Sequence, residues 1–168
     1  MKGERNDESD GTIEMKYVGF LGEVMFGDLM GLERTNTNGF DHGVDFELNG
    51  VRIDLKTMAR DYYWQEWYTQ NLIKSQVTSP NYKNDVYLFA NYHKKDSALE
   101  VIGWLPKHKV KDLPMIEKGE MVKKGRKEFE CRATMYQIKE PDMTPFRNPG
   151  IFEMDLGGLK VDSGTKIV

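Results

Sequence analysis

An Asn-Gly pair, Asn49–Gly50, constrains this sequence most, because it lies between two runs of alternating apolar residues. This combination is the strongest short-range signal for a β-hairpin with a two-residue type I′ turn. The turn fixes the register of the two strands, in which Phe46 faces Ile53. Side chains alternate along a strand, so the register also assigns the two faces of the hairpin. One face is wholly apolar and contains Val44, Phe46, Leu48, Val51, Ile53 and Leu55.

The other face of the hairpin is charged. The register extends to a pair in which Asp45 faces Asp54, and like charges that are directly opposed destabilise a strand pair. Lys56 follows on the same face, two residues after Asp54. A hairpin that is otherwise so regular needs a reason to keep two aspartates together.

Length and composition limit the class of protein. A chain of 168 residues with 39% hydrophobic residues suits one globular domain with a sizeable core. The single cysteine, Cys131, excludes an internal disulfide and is expected to be inert within an apolar strand. No apolar run approaches the roughly 20 residues of a membrane span, so no membrane partner is expected.

The beginning of the chain differs from the rest in composition. Residues 1–14 are charged and have no apolar h-region, so they are predicted to be a disordered tail and not a signal peptide. Residues 15–168 are then a single domain, and the expected compartment is the cytoplasm.

The apolar segments predict an α/β (α+β) order with a central mixed β-sheet flanked by helices. A largely buried helix is expected over 16–33, followed by the hairpin. Trp64, Tyr68 and Leu72 recur every four residues, which predicts an amphipathic second helix over 62–77. Strands are predicted over 85–92, 98–105 and 128–138, and a short basic helix or loop is predicted after Pro106.

Glu23 is the second anomaly, because it lies inside the apolar run of the first helix. Gly19 and Gly27 lie four residues before and after it, and they would let this face of the helix approach another element closely. Close packing against the hairpin would bring Glu23 towards Asp45 and Asp54.

Three converging carboxylates need a positive charge among them. Carboxylate oxygens suit hard divalent cations such as Mg²⁺ or Mn²⁺, and a bound cation reverses the local repulsion. We therefore predict a site for Mg²⁺ or Mn²⁺. The alternative is structural, with Asp45 at an exposed strand end paired with Arg52 or Lys56 and with Glu23 reaching water.

The order of these residues resembles that of the PD-(D/E)xK nuclease superfamily, which has the restriction-endonuclease-like fold. Glu23 in a first helix is followed by Asp45 on one strand and by "IDLK", with Asp54 and Lys56, on the next. The resemblance extends from Tyr17 to about Leu105 and is closest to small phage and bacterial nucleases. Val44 stands where the motif has its proline.

The resemblance implies a nuclease that hydrolyses phosphodiester bonds with Mg²⁺ or Mn²⁺. Asp45, Asp54, the carbonyl of Leu55 and Glu23, directly or through water, would hold one or two ions. Lys56 would orient or help deprotonate the attacking water and offset the charge of the transition state. The expected substrate is nucleic acid, with DNA and endonuclease action the first choices. The sequence does not decide whether the substrate is DNA or RNA, or whether the action is endonucleolytic or exonucleolytic. It also leaves open whether the protein forms a homodimer.

Several other residues are weaker candidates. By the same resemblance Gln76 is an additional candidate for the site, Asp41 is a rival ligand, and His42 is the only histidine near the hairpin. Five aromatic residues could stack on unpaired bases or simply pack, namely Tyr62, Tyr63, Trp64, Trp67 and Tyr68. Eight basic and three acidic residues between Lys107 and Lys127 are compatible with a polyanion partner or with a solvated surface.

Two functions of other classes remain beside the nuclease. A catalytically inactive nucleic-acid-binding module of the same fold would show the same elements without turnover. A structural or interaction protein with a coincidental motif would show no response to divalent cations.

Overall fold

The computed structural model describes residues 12–35, 42–124 and 126–146. Residues 1–11 of the predicted tail lie outside the described residues. Its last residues are not a tail, because Ile13 and Glu14 belong to the first helix and Thr12 caps it by accepting a hydrogen bond from the Met15 amide. The elements are, in chain order, α1 (Ile13–Met30), β1 (Phe46–Leu48), β2 (Val51–Arg60), β3 (Thr69–Ile73), α2 (Lys74–Thr78), β4 (Val86–His93), β5 (Ala98–Pro106), α3 (Lys107–Val110), β6 (Met115–Ile116), β7 (Met121–Lys124), β8 (Lys127–Glu130), β9 (Met135–Lys139), a 3₁₀ turn (Glu140–Asp142) and β10 (Thr144–Pro145).

A mixed five-stranded sheet lies at the centre, in the order β1-β2-β4-β5-β10. β2 and β4 are parallel, and the other neighbours are antiparallel. Two smaller sheets, β3-β9-β6 and β7-β8, accompany it. The α+β class and the central mixed sheet are confirmed, as are the predicted strands over 85–92 and 98–105 and the short basic helix after Pro106.

The hairpin has the predicted turn, and its three pairs from Leu48–Val51 to Phe46–Ile53 have the predicted register. Asn49 and Gly50 both have positive φ, 50° and 79°, as a type I′ turn requires. Phe46 pairs with Ile53, and the regular ladder stops there. The predicted direct pairing of Asp45 with Asp54 is therefore wrong, because the Asp45 amide donates to the Ile53 carbonyl at 2.8 Å instead.

The main core lies between the apolar face of the hairpin, β4 and one side of α1. Its buried members include Phe46, Ile53 and Leu88. α1 contributes a stripe of buried residues, Val18, Gly22, Phe26, Gly27 and Met30. The predicted helix over 16–33 is not buried on its other side, since Tyr17, Phe20 and Leu29 are exposed.

α1 approaches the sheet most closely at Gly22. A Cβ atom at Gly22 would lie 2.1 Å from Thr57 Oγ1, whereas one at Gly19 would have no other atom within 4 Å. At Gly27 a Cβ would lie 3.3 Å from a ring atom of Phe46. The prediction of close packing is confirmed for Gly27 and wrong for Gly19, and it missed Gly22.

The predicted second helix over 62–77 is wrong. Residues 69–73 form β3, whose Gln70 and Leu72 are buried in alternation and which pairs with β9. Only Lys74–Thr78 is helical. Trp64 and Tyr68 contact each other edge-on with ring centroids 5.7 Å apart, so they pack within a loop and not along a helix. Pairing with a distant strand outweighs the local period here.

The predicted strand over 128–138 is also wrong as one element. It is divided between β8 and β9, which belong to different sheets. Cys131 lies in the break, where it is buried and its Sγ donates to the Ala133 carbonyl at 2.9 Å. Within the described ranges, no helix is long and apolar enough to cross a bilayer.

Gly22 and Gly19 provide a matched pair of substitutions. Gly22→Ala should lower the free energy of unfolding by about 1–3 kcal/mol, because α1 has to move away from Thr57. Gly19→Ala should raise it by up to about 1 kcal/mol, because alanine is the better helix former and open space is available. Urea unfolding of both variants measures this. Equal effects with the same sign would mean that α1 does not pack at Gly22.

Candidate active site

A cleft of about 300 Å³ opens beside the hairpin, between α1, β2 and α2. Its lining includes all the residues that the sequence assigned to the site, namely Glu23, Asp45, Asp54, Leu55 and Lys56, and one of the weaker candidates, Gln76. α1 supplies the glutamate, the residue before β1 supplies the first aspartate, and β2 supplies Asp54, Leu55 and Lys56. The cleft therefore brings together residues that are far apart in sequence.

Asp45 is buried at the point where β1 begins. Its Oδ2 accepts a hydrogen bond from the Leu55 amide at 2.7 Å. Burial is the main reason that the pKa of Asp45 lies well above its ordinary value, and the charges of Asp54 and Glu23 raise it further. The charge of Lys56 and the hydrogen bond from the Leu55 amide lower the pKa of Asp45, but by less than burial and the two carboxylates raise it.

Asp54 and Lys56 lie on one face of β2 and form an ion pair. The Lys56 Nζ is 2.9 Å from the Asp54 Oδ1, and the lysine side chain keeps 31% of its exposure while the aspartate is buried. Desolvation lowers the pKa of Lys56, but the charges of Asp54 and Asp45 outweigh it and raise the pKa above its ordinary value. Lys56 is therefore a protonated, partly accessible cation at neutral pH.

Glu23 lines the cleft with a cationic partner of its own. The Nε and one terminal nitrogen of Arg34 both lie 2.7 Å from the Glu23 Oε2. The Arg34 guanidinium also lies over the Phe20 ring, 4.6 Å from its centroid. Glu23 does not simply reach water, as the structural alternative held, and Arg34 was not identified from the sequence.

The carboxylates do not form a ready-made three-ligand cluster. Within the described part of the chain, no three Asp, Glu, His or Cys side chains are grouped as metal ligands. Asp45 and Asp54 are buried carboxylates, and Leu55, whose carbonyl is a third oxygen, lines the same cleft. In a strand, the N–H and C=O of one residue point to the same edge, and the Leu55 N–H points to Asp45.

This donor set fits a hard divalent cation. Two carboxylates and a backbone carbonyl are oxygen ligands. Burial raises the pKa of Asp45 most and the charges of Asp54 and Glu23 raise it further, and a cation would relieve the repulsion among these carboxylates. Asp45, Asp54 and Leu55 would hold the ion, and water would complete its shell. Glu23, held by Arg34, fits the role of a ligand through water better than that of a direct ligand.

The weaker candidates have separate outcomes. His42 is exposed and does not line the cleft, and its Nδ1 lies 3.1 Å from the Asn81 carbonyl oxygen. Asp41 lies outside the described residues. Gln76 does line the cleft, from α2.

Three further residues of the cleft were missed from the sequence. Tyr82 packs against Gly43, where a Cβ would lie 2.7 Å from the tyrosine ring and where φ is +69°. Thr57 is the residue on which α1 packs, and Asn71 belongs to β3. Gly43 could have indicated the close contact that Tyr82 makes. Asn71 was missed because residues 62–77 were wrongly predicted to be a helix.

Comparison of the chain with protein family models, curated proteins and solved structures found no match. The fold and cleft define a class of site, with buried carboxylates and a lysine at the edge of a mixed sheet. Because no comparison found a match, the geometry of this site is the evidence for a function.

Asp45→Asn should change the pH dependence of stability in EDTA. Asparagine keeps an oxygen that can accept from the Leu55 amide but removes the buried charge. Because the pKa of Asp45 is raised in the folded state, wild type loses stability as the pH rises from the ordinary value of 3.8 through the folded value. The variant should therefore be the more stable protein at neutral pH, and its advantage should vanish in acid.

Urea unfolding across this pH range, in EDTA, measures the difference. Asp112→Asn, at an exposed position, is the matched control and should follow wild type at every pH. A constant difference between Asp45→Asn and wild type would show that the charge of Asp45 is not the cause.

Proposed function

We propose that this protein is a metal-dependent nuclease that hydrolyses phosphodiester bonds. The observation that carries the proposal is the set formed by buried Asp45, buried Asp54 and protonated Lys56, whose Nζ lies 2.9 Å from Asp54 in an open cleft. Carboxylates that hold a cation, next to a lysine that remains accessible, suit the cleavage of an anionic diester.

Asp45 and Asp54 have the role of ligands for Mg²⁺ or Mn²⁺, together with the Leu55 carbonyl. A bound ion of this kind polarises a phosphoryl oxygen and lowers the pKa of a bound water. The Leu55 amide fixes the Asp45 carboxylate through a 2.7 Å hydrogen bond, so this ligand is held in place before any ion binds. Burial keeps competing solvent away from both aspartates.

Lys56 has the role of a positively charged donor towards the phosphate. Its raised pKa makes it a poor general base at neutral pH, so it would orient the nucleophilic water and offset charge on the scissile group as an ammonium ion. The pairing with Asp54 positions the Nζ at the cleft.

The resemblance to PD-(D/E)xK nucleases supports the same reading. α1 with Glu23, the hairpin with Asp45 and Asp54, and the parallel strand β4 occur here in the order on which that resemblance depends. The same geometry would serve a nucleic-acid-binding module without turnover, which is the second candidate. Substrate cleavage separates the two.

Cleavage should depend on the two charged residues of β2. With plasmid, linear duplex and single-stranded substrates, wild type should cleave at least one of them in Mg²⁺ or Mn²⁺ and none in EDTA. Asp54→Asn and Lys56→Ala should each lower the rate about 100-fold or more, because each removes a charge that acts in the transition state. Gel electrophoresis of time courses measures the rates.

The control for this experiment is again Asp112→Asn, which should cleave at the wild-type rate. Cleavage by wild type and both site variants at one rate would reject the site. Binding of nucleic acid by wild type with no cleavage under any condition would favour the inactive module.

Metal binding can be tested without any substrate. A cation that binds only the folded protein adds about 2.7 kcal/mol at a hundred times its dissociation constant, which corresponds to roughly 5–10 °C in melting temperature for a domain of this size. Mn²⁺ should therefore raise the melting temperature of wild type. Asp45→Asn should gain much less, because it lacks one ligand.

The same variant should melt above wild type in EDTA, since it lacks the buried charge. Generic destabilisation cannot produce both effects. A wild-type melting temperature that stays constant throughout a wide Mn²⁺ titration would remove the metal site and the main support of the proposed function.

A further inference from the structure

A second cavity lies next to the cleft and contains several of the aromatic and basic residues that the proposed function does not use. It measures about 430 Å³ and lies between the end of β2, the β3-β9 sheet and the β7-β8 hairpin. We call it the aromatic groove and define it by Arg60, Trp67, Tyr68, Asn71, Lys123 and Phe129.

The aromatic groove is continuous with the cleft along β2. Asp54, Lys56, Met58 and Arg60 alternate onto one face of this strand, the first two in the cleft and the last two in the groove. At about 3.3 Å per residue, Arg60 follows Lys56 by about 13 Å. Asn71 lines both cavities. A chain molecule bound in the groove would therefore be directed at Lys56.

Aromatic faces in the groove are open to solvent. Trp67 is 70% exposed and Phe129 is 43% exposed. Tyr68 is held by Arg60, whose guanidinium lies 4.2 Å from the ring centroid of Tyr68 and donates to the Thr69 carbonyl at 2.7 Å. Trp67 meets Tyr68 edge-on, with centroids 5.9 Å apart. The groove thus presents exposed aromatic rings, and Tyr68 beside Trp67 is held in place by Arg60.

The floor of the groove carries two amide side chains. Asn71 and Gln137 are partners across the β3-β9 ladder, and both line the groove. The Asn71 Oδ1 is buried and accepts no hydrogen bond from the described residues. Amide side chains of this kind hydrogen-bond the edges of bases.

The charge of the groove is positive. Its two charged lining residues are Arg60 and Lys123, and none of the described residues that line it is acidic. Lys123 lies 3.5 Å from Glu128, but both side chains are more than half exposed, and such surface pairs are weak. The lining thus favours an anionic occupant with apolar faces.

We propose that the aromatic groove binds unpaired nucleotides and leads them to the cleft, so that the substrate is single-stranded nucleic acid. Stacking on an exposed aromatic side chain needs a base whose face is free, which a continuous duplex does not offer. Single strands also combine such faces with a backbone that Arg60 and Lys123 attract. This inference rests on the proposed function for the cleavage step but not for the binding step.

Tryptophan fluorescence provides a direct test of binding. The chain has three tryptophans, of which Trp104 is buried, Trp64 is partly buried and Trp67 is mostly exposed. The probes are a short oligothymidylate, a short oligouridylate and a DNA duplex of equal length, added in EDTA to Asp54→Asn, which should not cleave them. The single strands should quench the fluorescence and bind more tightly than the duplex.

Trp67→Ala in the same background should lose most of the quenching and bind about tenfold more weakly, measured by fluorescence anisotropy of labelled oligonucleotide. Phe129→Ala should weaken binding in the same direction. Tyr62→Ala is the matched control, because Tyr62 is 66% exposed in the same loop but does not line the groove, and it should bind like the parent. The two single-stranded probes separate a DNA from an RNA preference.

The inference is overturned if the duplex binds as tightly as the single strands, if no oligonucleotide binds, or if Trp67→Ala binds like Tyr62→Ala. A change in sedimentation coefficient on Trp67→Ala, with unchanged oligonucleotide binding, would assign the groove to contact between copies and also overturn it. Binding that depends on Trp67 in a protein that cleaves nothing would support the groove and reject the nuclease. Cleavage that does not depend on Trp67 would support the nuclease and reject the proposed role of the groove.

Discussion

The hydrogen bond from the Leu55 amide to the Asp45 carboxylate determines the chemistry of this fold. β1 has three residues and β2 has ten, so the ladder between them stops while β2 continues. A buried amide beyond the end of the ladder would cost free energy if it found no acceptor. Asp45 supplies that acceptor as a charged group, and the result is a buried carboxylate at the start of a cleft.

Charge pairing is the second constraint on the cleft. Three carboxylates, Glu23, Asp45 and Asp54, line it, and Arg34 and Lys56 form ion pairs with Glu23 and Asp54. Burial, followed by the charges of Asp54 and Glu23, raises the pKa of Asp45. The two ion pairs stabilise the other two carboxylates, and the cation that we propose would offset the charge of Asp45.

The sequence predicted what depends on neighbours along the chain and failed where distant partners decide. The hairpin followed from Asn49–Gly50 and from alternation, and with it came the placement of Asp54 and Lys56 on one face. The partner of Glu23 depends on where the chain passes after α1, so Arg34 was not predicted. β3 has the local period of a helix, but its hydrogen bonds go to β9, more than 60 residues later.

The short β1 has a second consequence for the same strand. The first residues of β2 are mostly buried between β1 and β4, whereas every residue from Lys56 to Arg60 is partly exposed. Within this second half, α1 approaches Thr57 closely, through Gly22. The face that carries Lys56, Met58 and Arg60 therefore stays accessible from the cleft to the aromatic groove. The same early end of β1 that leaves the Leu55 amide to Asp45 also leaves this face of β2 accessible, as the proposed single-stranded substrate would require.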